Sequence, residues 1–578
     1  MKFKRLASLL ICFVMILNFA ACGSSGGGEP SPDVPDRKDV KYGDMVFGEF
    51  DDTEFNDIVD ALDEAIASEG NDSEVAELID RLIDVYAQLC DAYTYLEIEY
   101  YSTPEDEEKF EKYIEADALS VYIDDDLRVI VSRILDSPYE QLMLDALKLK
   151  DASSFYGYEG MSDEEAALQD RITELEAEFN EYYSGTKEVT AEYNGQKWTW
   201  EDWDSLDVYS DEYEDVYAAL YRAEAMEMGR ILIEEARLRN EVAAMHGYAN
   251  YYEMAWTENY SRTYSYDDFE IIAGYTRQYL KSYPGILQSI DYLRADYLPL
   301  MNVDVTGVYD ELLNGKYLGA NAAEAVKYIR DYDLLHIVGE EAYAVGFSTK
   351  FFTYSEPFIY VHEEDPVYTM SFLGTIAHET GHCINFYYDH NNSVASFVFD
   401  LDVAETQSTG FVLMYMDKLQ KIYGDAGKGI PRQFFADAIG TLQNCGFQAE
   451  VERILYTTPD LTPEKVSEMA GDIARAFGYD AANEADGNNY FWAHIPHYSD
   501  SPGYVVSYVM SQAASLAMYA RYLEEPRKAA ELFDELLTEN TSAITYTEMV
   551  EKYGLDDKIY SEAFYKKLVD IAEQYRKQ

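Results

Sequence analysis

The chain has 578 residues and carries 110 acidic side chains against 44 basic ones, which gives a formal net charge of −66 at pH 7. This surplus of negative charge repels the phosphates of nucleic acid, so DNA and RNA are excluded as partners. Hydrophobic residues make up 48% and aromatic residues 15% of the chain, which excludes an intrinsically disordered protein and predicts a sizeable folded core.

The first 21 residues have the pattern of a secretory signal. Three basic residues precede an apolar run over residues 6–20, which is too short for a stable membrane span. Cys22 follows small residues and precedes a stretch rich in Gly, Ser and Pro, a pattern that resembles a bacterial lipobox with its acylated cysteine. We predict a lipoprotein signal peptide over residues 1–21 and a flexible tether over residues 22–45. The protein is then extracytoplasmic and anchored to the bacterial cell membrane by a lipid on Cys22, with an ordinary export signal as the alternative.

Most of the remaining chain shows helical periodicity. Apolar residues recur at helical spacing over residues 55–101, 168–183 and 217–246, and acidic residues occupy the opposite faces. Residues 189–200 alternate instead around Asn194-Gly195, a dipeptide typical of a two-residue hairpin turn. The patterns predict a mostly α-helical protein with a small sheet.

A second β-rich stretch covers residues 350–362. We predict a strand over residues 357–361 because aromatic and β-branched side chains are concentrated there. The edge of such a strand could bind an extended peptide backbone by strand addition, with plain packing as the alternative.

Residues 371–388, SFLGTIAHETGHCINFYY, contain the spacing H-E-x-x-H at His378, Glu379 and His382. Residues four apart lie on one face of a helix, so both imidazoles can reach one ion while Glu379 points toward a metal-bound water. Chance explains this spacing poorly because the chain has only 8 histidines. We therefore predict a site for one Zn²⁺ per chain, with Glu379 as the general base.

A catalytic zinc site normally has three protein ligands, so a third must lie elsewhere in the chain. Tyr388 stands where a metzincin would have its third histidine, which excludes that subclass. Glu405 lies downstream in a helical pattern rich in small residues, where two helices could approach closely. We predict His378, His382 and Glu405 as the metal ligands; the competitors for the third position are His390, Asp400 and Asp402.

These residues resemble the thimet oligopeptidase and oligoendopeptidase F family of zinc metallopeptidases. HETGH with AETQST downstream resembles the family's HE-x-GH and AE-x-x-ST segments, and Glu405 matches the family's zinc-binding glutamate. RLRNEVAAMHGYANYYEM and WAHIPHYSDSPGYVVSYVMSQ resemble two further stretches of the family. Together the matches cover most of residues 230–520.

The third stretch implies further catalytic residues. His497, Tyr504 and Tyr508 match positions at which the family has a histidine and tyrosines that contact substrate and stabilise the transition state, although Val506 stands where a further tyrosine is often found. We also predict that Ser501 caps a helix that starts at Pro502 and presents both tyrosines on one face.

The resemblance implies a large helical, gluzincin-like zinc-peptidase fold with a substrate channel. An N-terminal helical region, residues 46–240, would cover a catalytic domain, residues 241–578. The implied activity is a zinc-dependent endopeptidase that hydrolyses short unfolded oligopeptides, and the net charge predicts faster association of cationic peptides at low salt. The alternatives are an inactive peptide-binding surface lipoprotein and a hydrolase acting on a non-peptide amide; the sequence leaves the oligomeric state open.

Overall fold

The computed structural model describes residues 34–68, 70–149, 152–287, 305–339, 342–343, 345–362, 370–424, 429–479 and 489–577. The predicted signal peptide and Cys22 lie outside the described residues, so the structure does not test them.

The protein is mostly helical, as the periodicity predicts. The helices of the first part of the chain are α1 Thr53–Ala67, α2 Asp72–Ser102, α3 Glu107–Leu135, α4 Glu140–Leu147, α5 Asp163–Tyr183, α6 Trp200–Asp204, α7 Asp211–Met245, α8 Tyr251–Met254, α9 Tyr266–Tyr275, α10 Tyr283–Leu287, α11 Val305–Asn314 and α12 Ala320–Asp331. The later helices are α13 Met370–Tyr388, α14 Leu401–Tyr423, α15 Ile430–Thr457, α16 Pro463–Phe477, α17 His497–Asp500, α18 Val505–Glu524, α19 Pro526–Leu536, α20 Tyr546–Lys552, α21 Asp556–Ile559 and α22 Glu562–Arg576.

Local capping explains several helix starts. The single helical pattern over residues 55–101 is divided into α1 and α2 because Asn71 caps the second helix, its side chain accepting a hydrogen bond of 3.0 Å from the Glu74 amide. Reciprocal capping boxes start α9 at Ser265 and α20 at Thr545. In each, the side chain three residues later accepts a hydrogen bond from the backbone amide of the capping residue.

The predicted hairpin is confirmed. Strands β1, Ala191–Tyr193, and β2, Gln196–Trp198, pair antiparallel across Asn194 and Gly195. Both turn residues have positive φ, 52° and 75°, which is the backbone that a tight hairpin turn requires and that Asn and Gly adopt at low cost.

The second sheet has three strands in the order β3–β5–β4. β3, Leu335–Val338, runs parallel to β5, Glu356–His362, and β4, Gly346–Phe351, runs antiparallel to it. The strand predicted over residues 357–361 is confirmed, but the suggestion that it offers a free edge is wrong, because β5 is paired on both sides. Among the described strands, β4 forms that edge of the sheet.

Two large hydrophobic clusters form most of the described core, and a third, small one contains Tyr504. One joins α1 to α4 with Val394, Phe397 and Val398, and the larger one contains the second sheet and most helices from α5 onward. Helix α7 runs through residue 240, so the predicted domain boundary falls inside a continuous helix and the domain division remains a prediction.

The part of the predicted tether that the structure describes is packed against the body. The Arg37 guanidinium lies 3.8 Å from the centre of the Tyr387 ring, and the Lys38 amide donates a hydrogen bond to the Tyr354 carbonyl at 3.2 Å. Residues 34–45 are therefore part of the folded protein, which corrects the predicted tether over that range. Within the described ranges, no helix combines the length and apolarity that a membrane crossing needs.

A cavity of about 4270 Å³ lies between helices from the first half of the chain and elements from the second half. One wall is built by α2, α3, α5 and α7, and the other by β4, α13, α15 and the segment around α17. Its lining is strongly acidic, with nineteen Asp and Glu residues against four basic ones: Arg128, Arg239, Lys281 and Lys350. The cavity therefore favours positively charged ligands.

Helices α13 and α14 pack closely beside this cavity, and Gly381 permits the approach. A Cβ atom at Gly381 would lie 2.6 Å from the Cα of Ser408 and 3.1 Å from the Gln407 carbonyl oxygen. Real Cβ atoms do not approach backbone atoms this closely, so any side chain at position 381 would push α14 away from α13.

Gly381→Ala should therefore destabilise the protein by about 1–3 kcal/mol, the usual cost of overpacking a tight core. Thermal unfolding of the two proteins measures the effect. Gly440→Ala on α15 is the matched control, because a Cβ atom there meets nothing within 4 Å. Equal unfolding midpoints for the wild type and the Gly381→Ala variant would contradict the packing argument.

Candidate metal centre

Helices α13 and α14 bring together the three predicted metal ligands. Nε2 of His378 lies 3.2 Å from Nε2 of His382 and 3.4 Å from Oε2 of Glu405, and the remaining pair, His382 Nε2 and Glu405 Oε2, is 3.7 Å apart. All three side chains are buried. Within the part of the chain that the structure describes, this is the one group of His, Cys, Asp or Glu side chains whose ligand atoms converge closely enough to hold a metal ion.

The donor set fits a tetrahedral zinc ion. Zinc binds imidazole nitrogen and carboxylate oxygen at about 2.0–2.2 Å, which places ligand atoms about 3.3–3.6 Å from one another around a tetrahedral centre. The three observed separations lie close to that range. Two imidazoles and one carboxylate also leave a fourth position for water or substrate, as a catalytic zinc site requires.

The protonation states of the ligands also suit a metal. Burial lowers the pKa of His382 to about 4, so this imidazole is neutral at physiological pH. Burial acts to raise the pKa of Glu405, but His382, His378 and a hydrogen bond from Tyr504 outweigh it and lower the pKa to about 2. A neutral imidazole and an ionised carboxylate are the forms that bind metal ions.

The competitors for the third ligand lie in other environments. His390 is exposed. Asp400 caps α14, accepting hydrogen bonds from the Val403 amide at 3.0 Å and the Tyr546 amide at 2.7 Å. Asp402 accepts a hydrogen bond of 2.6 Å from the Tyr264 hydroxyl. Of the four candidates weighed from the sequence, the structure brings Glu405 to the histidine pair.

Glu379, the predicted general base, is fully buried on α13. Its Oε2 accepts a hydrogen bond of 2.9 Å from the Ser348 hydroxyl, and Ser348 stands on β4 at the cavity wall. This contact ties the orientation of Glu379 to the position of β4. Sequence reasoning missed Ser348 because a serine in a short strand carries no spacing signal.

The three aromatic residues predicted as catalytic form one cluster. The ring centres of His497 and Tyr504 are 5.1 Å apart, those of Tyr504 and Tyr508 are also 5.1 Å apart, and those of His497 and Tyr508 are 6.0 Å apart. The structure thus places them together and beside Glu405, and their catalytic roles remain predictions.

The hydroxyl of Tyr504 donates a hydrogen bond of 2.7 Å to Oε1 of Glu405. Burial, together with the neighbouring carboxylate, raises the pKa of Tyr504 well above its usual value, so the phenol remains a donor. In this arrangement Tyr504 orients a metal ligand, which is a different task from donating to a substrate oxygen.

The helix predicted to start at Pro502 begins instead at Val505, with Tyr504 at the capping position. Gly503 has φ of +90°, which no α-helix accommodates, so the turn before it cannot join the helix. Tyr504 and Tyr508 still face the same side because they flank the first turn.

Two buried arginines hold the segment that carries these aromatic residues. Arg239 donates hydrogen bonds to the carbonyl oxygens of Tyr498, at 3.3 Å, and Ser499. Arg262 donates to the Gly503 carbonyl and to the Ser507 hydroxyl, both at 2.8 Å. Charge-assisted hydrogen bonds therefore hold the segment directly after His497 and on both sides of Tyr504.

Arg239 lies within the second stretch that resembles the family, but the sequence analysis gave it no role. A signal was present: Leu232, Ala236 and Ala243 are buried on the same face of α7, and a charged residue on that apolar face needs a partner. Arg239 forms an ion pair with Glu235, one turn earlier, at 3.3 Å.

Replacing Tyr504 with Phe should weaken metal binding by about ten- to a hundredfold, the usual loss when a group that orients a metal ligand is removed. Dialysis against a buffered zinc series measures the affinity. Tyr479→Phe is the control, since Tyr479 lines the same cavity and its hydroxyl bonds Asn444 instead. Unchanged zinc affinity with reduced turnover would place the Tyr504 hydroxyl on the substrate, as the sequence resemblance implies.

No protein-family model matches the chain, and no curated protein matches it either. Solved structures do match the chain. Pz peptidase A superposes with a TM-score of 0.74 at 14% identity, over 93% of this chain and 99% of that one. A candidate oligoendopeptidase F from Bacillus anthracis gives a TM-score of 0.72 at 15% identity, over 93% and 98% of the two chains.

Oligoendopeptidase F from Enterococcus faecium gives a TM-score of 0.56 at 15% identity, over 91% of this chain and 96% of that one. At these identities the likeness concerns the fold, and it extends over nearly the whole length of each chain. The chain therefore has the helical fold of the Pz peptidase and oligoendopeptidase F structures, as its sequence motifs predicted.

Proposed function

We propose that this protein is a zinc-dependent endopeptidase that hydrolyses peptide bonds in short, unfolded oligopeptides. The observation that carries the proposal is the buried convergence of His378, His382 and Glu405, with Glu379 adjacent on the same helix. The peptidases among the structural neighbours support the same reaction class.

A zinc ion held by these ligands would supply Lewis acidity, which polarises a carbonyl group and lets water be deprotonated near neutral pH. Glu379 takes the proton of the attacking water on its carboxylate. Ser348 keeps that carboxylate oriented through its hydrogen bond to Oε2. No covalent bond between enzyme and substrate is needed.

His497 and Tyr508 both line the cavity, whereas the Tyr504 hydroxyl is engaged by Glu405. We therefore propose that His497 and Tyr508 hydrogen-bond the oxygen that becomes negatively charged in the transition state.

The shape of the site supports peptides as substrates. Phe347, Ser348 and Thr349 of the edge strand β4 line the cavity beside the base, so an extended peptide backbone can pair with β4. The site faces a cavity between two walls of the protein, and we expect it to admit a flexible chain more readily than a folded protein.

Two classes of variant test the proposal. His378→Ala, His382→Ala and Glu405→Ala should each lose zinc and activity together, because each removes a ligand. Glu379→Gln should retain zinc and lose turnover, because it removes only the proton acceptor. Metal analysis and cleavage of a mixed peptide pool, followed by mass spectrometry, supply both readouts.

His390→Ala is the control: it removes an exposed histidine that follows the same helix and should change neither metal content nor cleavage. Cleavage by Glu379→Gln at the normal rate would contradict the mechanism. Stoichiometric zinc in a wild type that cleaves no peptide would instead favour a binding protein, and cleavage of non-peptide amides alone would favour the other hydrolase.

We also propose that the enzyme acts at the extracytoplasmic face of the membrane, held by a lipid on Cys22. The support is the sequence pattern around residue 22. Cys22→Ser should move the protein from the membrane fraction to the soluble fraction and abolish the acyl mass on its mature N-terminus. Unchanged fractionation and an unacylated N-terminus in the wild type would contradict this proposal.

A further inference from the structure

The cavity wall opposite the metal centre contains a buried carboxylate in an aromatic surrounding. Glu97 on α2 lines the cavity yet is only 3% exposed. Its Oε1 has no hydrogen-bond partner among the described residues. Leaving a buried carboxylate oxygen unsatisfied costs free energy, so such an atom points to a missing partner.

Tyr101 and Tyr113 interact with this carboxylate, and further tyrosine rings stack on these two. The rings of Tyr100 and Tyr113 stack with centres 5.2 Å apart, and those of Tyr101 and Tyr343 stack at 5.3 Å. All four tyrosines line the cavity. The faces of tyrosine rings attract cations, as in the aromatic sites that bind ammonium groups.

A second carboxylate belongs to the same group. Asp117 on α3 lines the cavity and accepts a hydrogen bond of 2.8 Å from the Tyr93 hydroxyl. Burial raises the pKa of Glu97 to about 8; a hydrogen bond from Tyr101 acts against burial, and the charge of Asp117 adds to it. Glu97 is therefore mostly protonated at neutral pH while the group is empty, and a bound cation would favour its ionised form beside Asp117.

Among the described residues, no Lys or Arg forms an ion pair with Glu97 or Asp117. Two of the four basic residues of the cavity are already paired, Arg239 with Glu235 and Lys350 with Asp389. The protein itself therefore does not supply the cation that this group of carboxylates and rings would hold.

We propose that Glu97, Asp117 and the rings of Tyr100, Tyr101, Tyr113 and Tyr343, here called the Glu97 cage, form a subsite for a positively charged group of the peptide substrate. The group is a lysine or arginine side chain or the peptide's α-ammonium. This inference rests on the proposed peptidase function and specifies its substrate class.

The cage has a fixed position relative to the reacting bond. The ring of Tyr101 lies 6.1 Å from that of Phe347, which precedes Ser348 on β4, and the Tyr343 amide donates a hydrogen bond of 2.7 Å to the Tyr101 carbonyl. A peptide paired with β4 would therefore place one particular residue at the cage. A diffuse acidic field would favour cations at every position, so position dependence separates the two explanations.

The test uses the full-length enzyme and a set of peptides of one length, each with lysine at a single position and a partner with norleucine there. We expect one position, at a constant distance from the cleaved bond, at which lysine raises kcat/KM by about tenfold, the size of one buried cation–π contact. Acetylated and free N-termini separate the α-ammonium from side chains: a preference that acetylation abolishes assigns the cage to the N-terminus.

Glu97→Gln keeps the shape of the side chain and cannot ionise beside a bound cation, so the lysine-to-norleucine ratio at that position should fall to about one. Glu105→Gln is the matched control, because Glu105 is an exposed cavity residue beyond the end of the same helix, and it should keep the ratio. Circular dichroism checks that both variants fold.

A wild type that shows no position with a ratio above about two contradicts the cage, whether or not Glu97→Gln folds. A ratio that survives in Glu97→Gln, or falls equally in Glu105→Gln, also contradicts it. If the wild type cleaves none of the peptides, the proposed function has failed, and calorimetry of the lysine and norleucine peptides then decides the cage separately: equal binding of both would overturn it.

Discussion

The site depends on how closely α13 approaches α14 at Gly381. Because Gly381 has no side chain, the two helices come close enough for Glu405 to lie beside His378 and His382. A carboxylate with no solvent exposure is costly unless it is hydrogen-bonded or paired. Glu405 meets this condition through Tyr504, the two imidazoles and the Ser408 hydroxyl at 3.1 Å, so the same contacts that stabilise the buried charge also hold Glu405 at the predicted metal site.

The side chains that surround the site also include buried charged groups. These groups form ion pairs or hydrogen bonds to the backbone. Arg239 donates hydrogen bonds to backbone carbonyls in α17, and Arg262 donates one to the Gly503 carbonyl between α17 and α18. Ser348 likewise holds Glu379, the proposed general base, through its hydrogen bond to Oε2. The arrangement joins four separate parts of the chain, α7, β4, the α13–α14 pair and the aromatic segment, into one rigid site.

The acidic lining of the cavity concentrates part of the negative charge of the chain beside the site. A charge of −66 spread over the surface favours solubility and steers cations only weakly through salt. Nineteen acidic residues around one cavity concentrate that field beside the candidate metal site. Glu97 belongs to this lining although its side chain is only 3% exposed.

The sequence by itself determined the helical class, the hairpin at Asn194-Gly195, the strand over residues 357–361 and the H-E-x-x-H pair, since each depends on residues close together in the chain. It also favoured Glu405, although composition left His390, Asp400 and Asp402 open. Only the tertiary structure decided among those candidates, because selecting a partner across two helices depends on packing, here on a glycine that has no side chain to hold them apart. The same reason explains why β4 rather than β5 forms the edge, why Tyr504 bonds Glu405, and why Ser348 and Glu97 gave no pattern that identified them.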